Sequence, residues 1–185
     1  MLYPAHHSTA SPDAEDMSES FVTRFITEED GRPLRWTHLR PGMAKAGSVY
    51  DGAADAFHVG VFAGEQLVCS ASFLLEDQAG GVTPGIWRLR GMITHPDWRG
   101  RAAGSRAVEF GLVELARRGA TLVWCDGRVA ALTFYRRHGF SAVGDVFETR
   151  GTGPHYRMLR ALAEPSIPTA PNPRDPGVGA PEVPQ

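Results

Sequence analysis

Apolar runs broken by glycines recur through the middle of this 185-residue chain and mark out alternating strands and helices. Residues 21–25, Phe-Val-Thr-Arg-Phe, predict a short strand. Thr27 followed by Glu28, Glu29 and Asp30 then predicts a helix over 27–39, with the threonine as cap and the acids facing the positive end of the helix dipole. Two apolar runs, 57–63 and 66–75, flank Gly64-Glu65 and predict a hairpin. A glycine-rich loop over 76–85 leads to a strand over 86–94, where Gly91 predicts a bulge or a close backbone approach. Val108, Leu112 and Leu115 share one face of a helix over 105–118, closed by Arg117-Arg118-Gly119. A compact buried strand follows over 121–126, then a short helix over 129–138 closed by Gly139. Strands at 141–149 and 155–162, joined by Gly151-Thr152-Gly153-Pro154, complete a mixed α/β pattern with hairpins at both ends.

Composition separates the ends from this body. Residues 164–185 hold seven prolines and no aromatic side chain, so a disordered, extended tail is expected there, and residues 1–19 read as a similarly loose extension. One folded domain over 20–163 remains. A net charge of −2 argues against a strongly basic nucleic-acid binder, and no basic–aromatic interleaving points to one. That total conceals a split. Residues 1–90 carry 7 basic against 12 acidic side chains, whereas 91–160 carry 11 against 6, so an anionic ligand is expected to belong with the second block. The acidic first half offers a weaker hint of a cationic acceptor. Cys69 and Cys125 are too few and too far apart for a disulfide scaffold, and each lies in an apolar run. With no secretory leader and no apolar stretch long enough for a membrane span, a cytoplasmic protein is expected. No cluster of metal-ligand residues is apparent, and a homodimer is left open.

The densest chemical signal lies between the strand ending at Thr94 and the helix after it: His95-Pro96-Asp97-Trp98-Arg99-Gly100-Arg101-Ala102-Ala103-Gly104-Ser105. Small residues at a helix start let the backbone turn sharply and leave several N–H groups pointing outward, backed by the helix dipole. Arg99 and Arg101 add full positive charge. The inference is a phosphate or pyrophosphate cradle. It is not a Walker A loop, since no Gly-Lys-Ser/Thr ends it, and no GxGxxG opens the helix as a dinucleotide fold requires.

This segment resembles the cofactor loop of the GNAT superfamily of acyl-CoA-dependent N-acetyltransferases, Gln/Arg-x-x-Gly-x-Gly/Ala. Arg99 matches the first position and Gly104 the last, while Ala102 stands where glycine is usual. An alanine there keeps its N–H donor, and the cradle is expected to survive provided φ is negative. Further on, Ala131, Phe134, Tyr135, Gly139 and Phe140 are similar to the family's following helix and strand. The nearest likeness is to the ElaA-like bacterial subgroup, in Leu39-Arg40-Pro41-Gly42, Asp51, His58, Arg128, Gly153-Pro154-His155 and Met158. Arg128 stands where many family members have asparagine. The resemblance spans about residues 21–160. It implies a twisted, mostly antiparallel sheet of six to seven strands flanked by about four helices.

It also implies direct transfer of an acetyl group from acetyl-CoA to a small-molecule or peptide amine, with no metal. The loop 99–105 would hold the diphosphate, and the backbone of Met92, Ile93 and Thr94 the pantetheine. Tyr135 falls where family members often carry the acid that protonates the leaving sulfur, and a phenol stays protonated at neutral pH. Its alternative role is a core tyrosine with the hydroxyl at the rim. His155 and Asp126 are the substrate-side candidates, His155 equally readable as a structural histidine. His58 reads as a satisfied core or edge residue and His95 as solvent-facing. A covalent role for Cys125 is disfavoured. Two other readings stay open at this point: a catalytically silent acyl-CoA-binding module of the same fold, and a nucleotide binder using the same loop.

Overall fold

A computed structural model of the chain describes residues 20–39, 55–149 and 151–162. The proposed extensions and the Arg40-Pro41-Gly42 and Asp51 likenesses lie outside the described residues. Seven strands form one sheet in the order β1-β2-β3-β4-β5-β7-β6: β1 Phe21–Ile26, β2 Ala56–Ala63, β3 Gln66–Leu75, β4 Ile86–Thr94, β5 Leu122–Arg128, β6 Ser141–Thr149 and β7 Gly153–Ala161. Every neighbouring pair is antiparallel except β4 and β5. Three α-helices are present among the described residues, α1 Glu28–His38, α2 Ala103–Arg117 and α3 Leu132–Arg137, against the four expected.

The elements follow their local chemistry. Thr27 accepts a hydrogen bond from the Asp30 N–H while the Asp30 carboxylate accepts from the Thr27 N–H, a reciprocal capping box that starts α1 where the sequence places it. The β2–β3 hairpin turns through Gly64 at φ +56°. Helix α2 begins two residues earlier than its apolar spacing indicates, because Ala103 and Gly104 wind into its first turn.

One core fills the space between α2 and the sheet. Ala107, Val108 and Leu115 of α2 and Val59, Val61, Val68, Ala71 and Phe73 of β2 and β3 are fully buried. Gly111 sets the distance of approach: a Cβ there would stand 2.0 Å from the Phe73 ring. Any side chain at 111 would push the helix off the sheet, an overpacking defect of about 1–3 kcal/mol or more.

The feature that makes a site is a parting of the two central strands. β4 and β5 pair only over Ile86–Arg88 with Leu122–Trp124, yet β4 continues to Thr94 and β5 to Arg128. β5 is held instead on its other edge by β7, along its whole length. β4 bulges at Gly91, φ +58°, where its register with β3 jumps from Arg90 opposite Ser72 to Ile93 opposite Ser70. Of the two readings the lone glycine inside this strand suggests, a bulge or a close backbone approach, the bulge is present.

Candidate active site

At the far end of the parted β4, the chain runs from Thr94 through a short 3-10 turn, Pro96–Trp98, into α2. Arg99 is extended and its Nε–H donates to the Thr94 carbonyl at 3.4 Å; the Arg101 guanidinium lies 5.1 Å from the Trp98 ring centroid. Gly100 takes φ +77° and Ala102 φ +64°. The negative φ on which the expectation for the cradle is conditioned is therefore not what Ala102 adopts. The turn needs a left-handed residue there, a conformation that costs an L-alanine roughly 1–2 kcal/mol. Left-handed geometry explains why glycine is the usual occupant.

The N-terminus of α2 is left uncapped by the chain. No side chain caps it and no acidic residue lies in its first turn. The Arg106 N–H is the first to find an intrahelical acceptor, the Ala102 carbonyl at 3.0 Å. The N–H groups of Ala103, Gly104 and Ser105 precede it and have no intrahelical partner. Gly104 lets this turn sit against β4, since a Cβ there would stand 3.3 Å from Met92 Cε and from Thr94 Oγ1. The Ser105 hydroxyl is 3.1 Å from His138 Nε2, whose ring packs on Phe134. His95, expected to face solvent, is half-buried and packs edge-on against His38 at 4.6 Å between ring centroids.

At the near end of the parting a cleft of about 230 Å³ opens, lined by Leu89, Gly91 and Met92 of β4 and by Asp126 and Arg128 of β5. Tyr135 from α3 and His155 from β7 close its walls. Tyr135 is 8% exposed, wedged between Phe134 and Phe140 and against Gly127. Its hydroxyl lies 3.9 Å from Met92 Sδ. Burial, and then the neighbouring Cys125, hold its phenol well above the ordinary tyrosine range, so it is a proton carrier rather than a phenolate at neutral pH. A thioether is a weak acceptor, so the phenolic proton is not committed to a strong partner there.

His155 is 6% exposed, and its Nδ1 lies 2.7 Å from the Gly153 carbonyl. A carbonyl can only accept, so Nδ1 carries the proton in the neutral ring and Nε2 keeps the lone pair. Asp126 is engaged twice, accepting from Arg88 Nη2 at 3.0 Å and from Arg157 Nε at 2.7 Å. Arg88 also pairs with Glu76, and both Arg88 and Arg157 stack on Trp124. Sequence reasoning missed this cluster: its members come from β3–β4, β4, β5 and β7, and no spacing along the chain links them. Arg128 donates from Nη2 to the Leu39 carbonyl at 3.0 Å.

Other candidates take structural places. His58 lies 2.8 Å from the Ser72 hydroxyl, and burial, reinforced by Arg35, pushes its pKa down. Thr94 Oγ1 donates to Cys69 Sγ, and Cys69, fully buried, has its thiol pushed up to about 12. Burial likewise raises Cys125, which removes the thiolate that a covalent mechanism needs. Ile93 is buried in the core and Met92 faces the cleft. No group of three or more potential metal ligands is gathered among the described residues. No described helix is long and apolar enough to cross a membrane.

The two parallel central strands thus part, with an uncapped helix start at one end of the parting and a polar cleft at the other. A sequence model of the Acetyltransferase (GNAT) family matches residues 14–140, and the chain belongs to that family. It is an N-acetyltransferase by kinship as well. It is 33% identical over 139 residues to the uncharacterized N-acetyltransferase YitI of Bacillus subtilis (strain 168), covering 74% of this chain and 93% of that protein. The fold is similar to Escherichia coli ElaA at a TM-score of 0.62 and 18% identity, over 76% of this chain and 99% of that one. It is also similar to an aminoglycoside 6′-N-acetyltransferase complexed with coenzyme A, at 0.58 and 14%, over 78% and 99% respectively.

Proposed function

We propose that this chain transfers the acetyl group of acetyl-CoA to an amine of a small molecule or peptide by direct attack on the thioester. The observation that carries this reading is the β4 edge from Leu89 to Thr94. It lies outside any described pairing with β5 and runs from the cleft to the open start of α2. The residues fit the donor. Ala103, Gly104 and Ser105 present first-turn N–H groups with no intrahelical acceptor, Gly100 and Ala102 turn the chain into them, Arg99 and Arg101 add positive charge, and no first-turn carboxylate opposes a diphosphate. The backbone of Met92, Ile93 and Thr94 offers an extended ligand the hydrogen bonds that β5 does not take.

When bound, acetyl-CoA supplies an activated acyl group: a C–N bond to the acceptor forms, the C–S bond breaks, and the nitrogen loses a proton. Tyr135 donates its O–H toward the sulfur as negative charge develops there. Its raised pKa keeps the O–H protonated, so its part is to donate a hydrogen bond to the developing charge without forming a phenolate. His155 offers Nε2 as the acceptor for the amine proton, with its ring fixed by the Gly153 carbonyl. Asp126, held between two arginines, orients the cleft rather than taking a proton.

Replacing Tyr135 by Phe keeps the packing and removes the proton. Turnover, followed as thiol release, should fall by about tenfold or more. Acetyl-CoA affinity should stay within about twofold, because the ring and the diphosphate contacts are untouched. An unchanged rate removes Tyr135 as the donor. Tight acetyl-CoA binding by the wild type with no turnover on any amine would support a silent binding module instead.

A further inference from the structure

Resting on the cleft as the acceptor site of that reaction, we propose that the acceptor is a small amine that also carries a carboxylate, and that Arg128 holds it. The cleft is cationic where the acidic first half of the sequence hinted at the opposite. Its lining includes Arg88, Arg90 and Arg128; Arg90 pairs with Glu76, and the lining carboxylate, Asp126, is bound on both sides by Arg88 and Arg157. A polyamine would find no uncommitted carboxylate in that lining. Arg128 differs from these arginines. Among the described residues its hydrogen bond goes to a neutral carbonyl, that of Leu39, and no described carboxylate pairs with it. Carbonyl donation from one Nη leaves further donors of a planar guanidinium for a two-oxygen acceptor.

Pairing and size narrow the ligand. Arg90, which also lines the cleft, pairs with Glu76, so Arg128 is the lining guanidinium with no described carboxylate partner, and its planar fork matches the two oxygens of a carboxylate. The cleft, about 230 Å³, is below the roughly 300 Å³ at which pockets for drug-sized ligands begin, and an amino acid or a similarly short amino carboxylate fits it. The same charge serves the chemistry. A guanidinium near the acceptor ammonium disfavours its charged form and raises the fraction of neutral amine, the species that attacks.

The test compares thiol release from acetyl-CoA with free amino acids, their methyl esters, spermidine and phosphoethanolamine, using wild type, Arg128→Gln and Arg128→Lys. Each substrate's kcat/KM is paired with the acetyl-CoA affinity and melting temperature of the variant. In wild type the best amino acid should exceed its methyl ester by about 10- to 100-fold. Arg128→Gln should bring that ratio close to one while acetyl-CoA affinity is retained, and Arg128→Lys should keep part of it. A purely structural role for Arg128 would lower both rates equally and leave the ratio intact, which overturns the assignment. Esters or spermidine turned over as fast as acids by wild type overturn the proposal, whatever the variants do. Phosphoethanolamine preferred to every amino acid overturns the carboxylate. In all three results the acetyltransferase reading stands, whereas absence of turnover on every amine despite acetyl-CoA binding defeats both.

Discussion

The two longer helices of this domain start in opposite ways. Helix α1 satisfies its own N-terminus: Thr27 and Asp30 exchange hydrogen bonds, and Glu28, Glu29 and Asp30 supply negative charge to the dipole. Helix α2 has neither cap nor acid, and enters through an alanine in left-handed geometry. Both begin within one folded unit, so the difference is not one of general stability. An N-terminus that the chain completes is structural, whereas one that it leaves incomplete, flanked by arginines, is suited to an outside anion.

The sharpest way to break this contrast is to make α2 resemble α1. Ala102→Asp places a carboxylate at the α2 start, where it repels a diphosphate at short range. Acetyl-CoA affinity by calorimetry should fall by about 10- to 100-fold. Stability should hold or rise by about 0.3–1 kcal/mol, because the charge complements the dipole and aspartate tolerates left-handed geometry better than alanine. A fall in melting temperature with unchanged affinity would reverse the roles assigned to the two ends.

The converse change acts on α1. Thr27→Ala should cost about 1 kcal/mol, a loss of roughly 2–4 °C in melting temperature, with acetyl-CoA affinity unaltered. A weakened affinity would mean that the two N-termini are not independent.

Acid reaches both regions at once, with a smaller effect. His58, beside Arg35 of α1, and His138, beside Ser105 of α2, both have their pKa lowered, chiefly by burial. Each is neutral in the fold, while the unfolded chain takes up a proton near the ordinary value of 6.5. Stability should therefore be full above that pH and decline as pH falls through it toward the lower folded values. Melting curves of wild type, His58→Gln and His138→Gln across this window should each show a shallower slope in the variant. An undiminished slope would assign the acid sensitivity elsewhere.

What could be read from the sequence was whatever local chemistry dictates. The Thr27–Asp30 cap, the Gly64 hairpin, the Gly91 bulge and the small-residue loop before α2 each depend on residues a few positions apart, and each takes its expected place. The backbone sign at Ala102 was not legible because it is set by the path from β4 into α2, not by alanine's own preference. The charge of the cleft was equally hidden. Asp126 is neutralised by Arg88, 38 residues before it, and by Arg157, 31 residues after it, and only the register of β4, β5 and β7 brings them together. His95 meets His38 for the same reason, across elements that no periodicity joins.

The most direct measurement is the change in backbone amide resonances of the isotopically labelled protein on titration with coenzyme A. The largest shifts should fall on Ala103, Gly104 and Ser105, with the Thr27–Asp30 amides unmoved. Coenzyme A binding that leaves the α2 amides in place would contradict the account, whatever else it displaced.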